Sequence, residues 1–171
     1  MRGLTGLFTA AVILSFAAGA HAQGKADFSG KWVMDPASAP APPAGAPAGG
    51  GGRGGGRGGA GFGAEFTATQ NAKMLTITRT QGDATVTATY NLDGSESKNT
   101  VQGRGGAQEQ VSKAVWEGNK LAITTTVNFG GNPAEQKRVM SLEGGNLVIE
   151  QTNPGRGGGE PTTVKLVYKK G

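Results

Sequence analysis

Apolar and polar residues alternate along most of the chain beyond residue 64. The alternation is most regular over 84–92 and 121–129, where every second position is apolar except Thr125, a small polar residue on the inward face, and threonine or asparagine fills most of the others. A period of two residues is typical of β-strands that bury one face. The many β-branched residues also disfavour helices. The pattern therefore predicts an all-β, antiparallel fold whose sheet has one face in water.

Turn-forming glycine, asparagine and aspartate residues divide this region into short segments. The predicted strands are approximately 27–35, 64–70, 73–80, 84–92, 95–102, 108–117, 120–129, 135–142, 147–152 and 162–170. Almost all the links are too short for a parallel crossover, so each strand must fold back on the one before it. We expect an up-and-down meander of about ten strands, closed as a barrel because closure removes exposed edges.

The apolar positions of these strands give the predicted core. Its members are Phe28, Trp32, Leu75, Ile77, Val86, Tyr90, Trp116, Leu121, Ile123, Leu147, Ile149 and Val167.

The connections between strands alternate in character. Every second one is a tight hairpin turn; these turns lie at 71–73, 93–94, 117–119 and 143–146. Most of the other connections are long or glycine-rich, and three of them contain Arg-Gly-Gly. In a meander, alternate connections lie at the same end. We therefore expect one barrel mouth to carry four loop arginines, Arg53, Arg57, Arg104 and Arg156.

The first residues have the features of a secretory signal peptide. Arg2 precedes an apolar stretch from Leu4 to Ala18. Ala20-His21-Ala22 then has the small-x-small pattern of a signal-peptidase cleavage site. Cleavage after Ala22 predicts a periplasmic or secreted protein, and a retained N-terminal anchor is the alternative. The expected organisation is a signal peptide at 1–22 and a single domain at 23–171. A disordered loop rich in Pro, Ala, Gly and Arg is expected at 36–63.

Export changes the chemistry that is available. The only histidine, His21, leaves with the signal peptide, and the chain has no cysteine. Nucleophile–base pairs and zinc sites built on His or Cys are then excluded. The carboxylates are scattered singly, so we predict no metal, no cofactor and no catalytic residue. The alternative that keeps an enzyme possible is an acid/base pair of two carboxylates brought together from different strands.

The Arg-Gly-Gly tract allows three interpretations. It is a flexible linker, a nucleic-acid-binding segment, or a weak contact for anionic envelope groups. The formal charge of the full chain is only +5, and Phe62 is the one aromatic residue in 36–63. We therefore predict no nucleic-acid partner. The strands are short, threonine-rich and poor in aromatics, so a membrane-spanning barrel is not predicted either.

One motif resembles a known family. The segment 28–32, Phe-Ser-Gly-Lys-Trp, is similar to the Gly-x-Trp start of lipocalins and fatty-acid-binding proteins. The ten-stranded meander, the break after the first strand and the hairpin at 116–121 resemble the layout of fatty-acid-binding proteins. The resemblance implies a lipocalin-like (calycin) barrel that binds a small apolar or amphipathic ligand. The chain departs from that family at 36–63, whose composition cannot form the helical lid found there.

The resemblance also implies a site. Fatty-acid-binding proteins hold a carboxylate on basic and tyrosyl side chains inside the barrel, and Arg79, Arg138 and Tyr168 resemble that set. Lys137 precedes Arg138, so only one of the two can point inward. Arg79 lies near a strand end, and its side chain either extends outward or faces a ligand.

Arg104 and Arg156 complete the predicted ligand-binding residues at the barrel mouth. The expected protein is a non-catalytic, monomeric carrier of a lipid-like molecule. The alternative is an envelope interaction domain with a filled core and no ligand.

Overall fold

Ten β-strands form one antiparallel sheet in the computed structural model, which describes residues 24–39, 62–103, 106–129, 132–155 and 159–171. The strands are β1 (Gly30–Met34), β2 (Glu65–Gln70), β3 (Met74–Gln81), β4 (Ala84–Asn91), β5 (Glu96–Gly103), β6 (Gly106–Glu117), β7 (Lys120–Phe129), β8 (Asn132–Glu143), β9 (Asn146–Asn153) and β10 (Thr162–Lys170). The predicted all-β meander is confirmed, and every predicted strand is present.

The first and last strands meet in the middle of the sheet. The strand order is β4-β3-β2-β1-β10-β9-β8-β7-β6-β5, and Trp32 of β1 pairs with Lys170 of β10. All neighbouring strands are antiparallel. The two edge strands, β4 and β5, then approach each other, which makes the sheet a nearly closed barrel, as the sequence predicted.

Side-chain hydrogen bonds connect β4 and β5 where the barrel closes, a line of contact called the seam below. The Asn99 amide accepts a hydrogen bond from the Thr89 backbone N–H (2.7 Å) and donates one to the Thr89 carbonyl (3.0 Å). The Ser97 hydroxyl accepts a bond from the Asn91 backbone N–H at 2.7 Å. Asn99 thus takes the place of a strand neighbour for β4 and satisfies backbone groups that would otherwise lose their partners on burial.

We expect Asn99→Ala to lower the free energy of unfolding by about 1–3 kcal/mol, because Thr89 loses both partners. Thr100→Ala is the matched control, since Thr100 is the next residue and is exposed. Equilibrium urea unfolding measures both. Equal stability of the two variants would show that Asn99 does not hold the seam.

The segment before β1 closes the end of the barrel that carries the tight turns. Phe28 is buried and stacks on Trp116 with ring centroids 5.9 Å apart. Its carbonyl accepts a hydrogen bond from the Trp32 indole N–H (2.8 Å), and its N–H donates to the Gln70 side chain (3.1 Å). The Gly-x-Trp start of β1 therefore belongs to the core, and the tryptophan is the large side chain at its base.

Nine of the twelve predicted core residues are buried, and three are not. Val86 and Trp116 are half-buried, and Trp116 packs against the edge of the core. Val167 was assigned to the wrong face of β10, because Leu166 and Tyr168 are the buried residues of that strand. Two adjacent apolar residues and a tyrosine make the alternation ambiguous there.

Both described ends of the interval 36–63 make defined contacts, and the disorder predicted for its middle concerns residues outside the described ones. Pro36–Ser38 forms a short 3-10 helix, and Asp35 accepts the Ala37 N–H as its cap. The Ser38 hydroxyl bonds to the backbone of Val167. At the other end, Phe62 packs into the core.

The four loop arginines Arg53, Arg57, Arg104 and Arg156 lie outside the described residues, as does the predicted signal peptide. Within the described part of the chain, no helix is long and apolar enough to cross a membrane.

Candidate functional site

Arg138 projects into the barrel from the middle of β8. Its cross-strand neighbours are Ile123 and Gln151, which are both buried on the inner face. Lys137 points the other way and pairs with Glu117 on the outer surface at 3.1 Å. Of the two adjacent cations, the arginine is the one that faces inward.

Neutral groups surround the Arg138 guanidinium. Its Nε donates a hydrogen bond to Oε1 of Gln151 at 2.9 Å. The Phe62 ring covers it, with the guanidinium carbon 5.3 Å from the ring centroid. Burial lowers the pKa of Arg138, and the nearby charge of Arg79 lowers it further. The side chain is still a cation, because guanidinium groups stay protonated in proteins.

Arg79 is a second interior cation. It follows Leu75 and Ile77 on the inward-facing positions of β3 and is half-buried. A Cβ built on Gly63 would lie 3.9 Å from Arg79 Cδ, so the side chain runs beside the start of β2. It also acts electrostatically on Arg138 and Tyr168. Of the two orientations considered for Arg79, the inward one agrees with this placement.

Neither guanidinium has a carboxylate partner in the described part of the chain. The six ion pairs found there all use lysine. The described carboxylates are exposed, apart from Asp35, which is half-buried and pairs with Lys169 at 2.9 Å. Burying a cation without a counter-charge is unfavourable. The barrel interior therefore has an uncompensated positive potential.

Tyr168 of β10 completes the set that the sequence proposed. It is fully buried, its ring meets Phe66 edge-on at 5.1 Å, and its hydroxyl donates to the Gly63 carbonyl at 3.0 Å. Burial raises the pKa of Tyr168 to about 12, against the opposing effect of the two arginines. The structure thus brings Arg79, Arg138 and Tyr168 together inside the barrel.

The pKa of Tyr168 predicts an alkaline effect on stability. The folded state holds the phenol proton more tightly than the unfolded state, whose tyrosine pKa is 10.0. The stabilisation is therefore complete below pH 10 and is lost as the pH rises towards 12. A shift of this size corresponds to about 2–3 kcal/mol.

Tyr168→Phe should accordingly show a shallower loss of stability between pH 10 and 12 than the natural chain in urea unfolding. The burial-raised pKa of Tyr90 contributes in the same direction and remains in the variant. Identical pH profiles for the two proteins would contradict the placement of Tyr168.

The sequence analysis placed Thr125 on the inward face of its strand but missed the other polar residues of the interior. Gln136 and Gln151 each donate a side-chain hydrogen bond to Asn153, at 2.6 and 2.8 Å. Because Gln151 also accepts from Arg138, this amide chain fixes the guanidinium. Ser112 and Thr125 share a buried hydrogen bond at 2.8 Å. The sequence signal that could have identified them is a polar residue that shares the alternation of the buried apolar residues in its strand.

Tyr90 is a further aromatic neighbour of the site. It was predicted as core and is 5% exposed, with its ring centroid 6.3 Å from that of Phe62. It faces the same space as Arg138, and the two side chains influence each other's titration.

No protein-family model matches this chain, and no curated protein matches it. Solved structures do. A fatty acid transporter (REP1-NXSQ) aligns with 63% of this chain and 69% of its own, at a TM-score of 0.47 and 10% identity. The zebrafish ileal bile acid-binding protein, solved with cholic acid, aligns over 63% and 72% of the two chains, at a TM-score of 0.46 and 23% identity.

The arrangement offers positive charge and hydrogen-bond donors to an anion. In the described residues, no group of three His, Cys, Asp or Glu side chains is placed to hold a metal ion. Two guanidiniums offer charged donors to an anionic group, and the Tyr168 hydroxyl donates to Gly63 in this structure. The predicted mouth residues Arg104 and Arg156 lie outside the described residues, so their contribution stays a prediction.

Proposed function

We propose that this protein is an exported, non-catalytic carrier whose barrel binds a small amphipathic molecule with an anionic headgroup. The observation that carries the proposal is the pair of interior arginines without a carboxylate. Arg138 is held by Gln151 and covered by Phe62, and Arg79 lies close enough to shift its pKa.

An anionic ligand would relieve the cost of this arrangement. Two like charges near each other in a shielded interior repel, and a bound carboxylate or phosphate offsets both the repulsion and the desolvation. Charge-assisted hydrogen bonds to arginine are among the stronger polar contacts in proteins. The headgroup is therefore proposed to contact Arg79, Arg138 and Tyr168, with Arg104 and Arg156 guiding its approach from the mouth.

An apolar cluster lies beside the arginines in the barrel core. Phe66, Leu75 and Ile77 are buried on β2 and β3, and Leu166 is buried on β10. An acyl or ring system would have to displace packed side chains of this cluster and replace their apolar contacts with its own.

Location and assembly are parts of the same proposal. The signal sequence at 1–22 supports a periplasmic or secreted protein, where lipid-like molecules need a carrier between membranes. The edge strands face each other across the Asn99 seam, which favours a monomer over pairing through an exposed edge. The arginines of the 36–63 loop would add weak attraction to anionic envelope groups.

A headgroup series tests the proposal. Isothermal titration of the mature protein with dodecanoate, dodecanol and dodecyltrimethylammonium holds the tail constant and varies the charge. We expect binding in the order anion, neutral, cation, with at least about a tenfold preference for the carboxylate over the alcohol. Equal affinity for all three, or no binding of any, would overturn the proposal and favour a filled-core interaction domain.

A further inference from the structure

Phe62 lies inside the barrel although it belongs to the long connection between β1 and β2, and Gly63 follows it half-buried. Phe62 is 4% exposed and is a member of the hydrophobic core. Its ring meets that of Phe66 edge-on at 5.2 Å and covers the Arg138 guanidinium at 5.3 Å. An aromatic side chain from a loop therefore fills space beside the interior cation.

The same two residues engage the other polar group of the site. Gly63 accepts the hydrogen bond of the Tyr168 hydroxyl through its carbonyl. It does so with a φ of +104°, a conformation that side-chain-bearing residues rarely adopt. The chain itself thus covers the arginine and uses the tyrosine donor that an anionic headgroup would need.

We propose that Phe62–Gly63 is an internal plug that competes with ligand, so that loading requires Phe62 to leave the Arg138 site. This inference rests on the proposed function and concerns the regulation of the same site. Phe62 takes the apolar volume that a ligand tail would use, and Gly63 takes the Tyr168 hydroxyl. A ligand that carries both an apolar body and an anionic group replaces both contacts together.

The flanking backbone confines the plug to a short segment. The Ala64 carbonyl accepts a hydrogen bond from the Met34 N–H at 2.7 Å, and β2 begins at Glu65. Gly63 lies between this fixed point and Phe62, and a Cβ built on it would have no atom closer than 3.9 Å. Rotation about Gly63 would move Phe62 without breaking the β1–β2 ladder.

The plug predicts an unusual effect of truncation. An apparent dissociation constant equals the intrinsic one divided by the fraction of molecules whose site is open. Phe62→Ala should therefore bind dodecanoate more tightly than the natural chain, by about fivefold or more. Phe66→Ala is the matched control: it removes the same ring from the fixed barrel wall, and it should weaken binding.

A graded variant and a fluorescence measurement test the plug independently of Phe62→Ala. Phe62→Leu keeps an apolar side chain but loses the aromatic contacts, and its affinity should lie between those of the natural chain and Phe62→Ala. Circular dichroism and urea unfolding confirm that each variant folds. A tryptophan introduced by Phe62→Trp in a Trp116→Phe background reports on the plug through its fluorescence, measured relative to the Trp116→Phe parent. When dodecanoate binds, its emission maximum should shift to the red and its quenching by acrylamide should increase.

The outcomes separate the plug from the function on which it rests. Weaker or unchanged binding by Phe62→Ala, with normal binding by the natural chain, would overturn the plug and leave the carrier intact. Emission of the Phe62→Trp variant that stays buried on loading would overturn it as well. Failure of both the natural chain and Phe62→Ala to bind any of the three dodecyl probes would overturn both.

Discussion

Arg138→Gln is expected to weaken dodecanoate binding by about tenfold to a hundredfold, equivalent to roughly 1.4–2.8 kcal/mol, while changing dodecanol binding by less than about threefold. Arg138 is the interior cation whose guanidinium is fixed by Gln151 and shielded from water, so it is the strongest proposed partner of an anionic headgroup. Glutamine keeps a polar side chain, shorter than arginine by two bonds, and removes the charge. Isothermal titration of the folded variant with both probes measures the effect.

Lys137→Gln is the control for this variant. It removes the same charge one residue away, from a side chain that pairs with Glu117 on the outer surface. Its dodecanoate affinity should match that of the natural chain. If both variants lose the same affinity, the effect is due to overall charge and not to an interior site.

The Arg138 variant should also show its effect on stability. Because the natural side chain is half-buried without a carboxylate, replacing it should leave the free energy of unfolding unchanged or raise it by about 1 kcal/mol. A residue that lowers the stability of the ligand-free protein and raises its affinity for ligand is expected to serve binding and not folding. A large loss of stability in urea would instead indicate that Arg138 serves the fold.

Trp32→Ala is expected to lower the free energy of unfolding by about 3–5 kcal/mol, the largest stability effect that we predict. Trp32 is 1% exposed, its indole donates to the Phe28 carbonyl, and Lys170 lies 5.6 Å over its ring. Truncation would leave a cavity at the closed end of the barrel and an acceptor without its donor. Equilibrium urea unfolding, followed by far-ultraviolet circular dichroism, measures the loss.

Val33→Ala tests whether position on the sheet, and not proximity to β1, decides this effect. Val33 is the next residue and is 37% exposed on the outer face. Its truncation should cost less than about 1 kcal/mol. Comparable losses in the two variants would contradict the assignment of Trp32 to the core.

Much of the fold follows from alternation alone. Strands β3, β4 and β7 alternate strictly, and their inner faces hold Leu75, Ile77, Tyr90, Leu121 and Ile123 as predicted. A two-residue period fixes which side chains share a face. It also required that Lys137 and Arg138 face opposite ways, and the structure shows which one faces inward.

The parts that sequence reasoning missed depend on contacts between distant segments. In β10, Leu166, Val167 and Tyr168 form an unbroken apolar and aromatic run, so the period gives no face. Phe62 lies in a tract whose composition predicts disorder, yet it meets Phe66, Tyr90 and Arg138 across the barrel. Such a contact is decided by closure of the sheet and not by local pattern.

The amide chain that fixes Arg138 was missed for a related reason. Alternation with Leu147 and Ile149 places Gln151 and Asn153 on the inner face of β9, but only the pairing of β8 with β9 shows that Gln136 and Arg138 meet them there. Register is a property of two strands together, so one strand's sequence cannot supply it.

The central claim is that an anionic headgroup binds beside the interior arginines, and carbon-13 NMR of carboxyl-labelled dodecanoate tests it most directly. With the mature protein we predict a separate bound carboxyl signal that stays in its ionised position at pH values where the free acid is already protonated, because a guanidinium favours the carboxylate form. In Arg138→Gln that signal should disappear or titrate at a higher pH. A bound carboxyl in the natural chain that titrates like the free acid would contradict the claim.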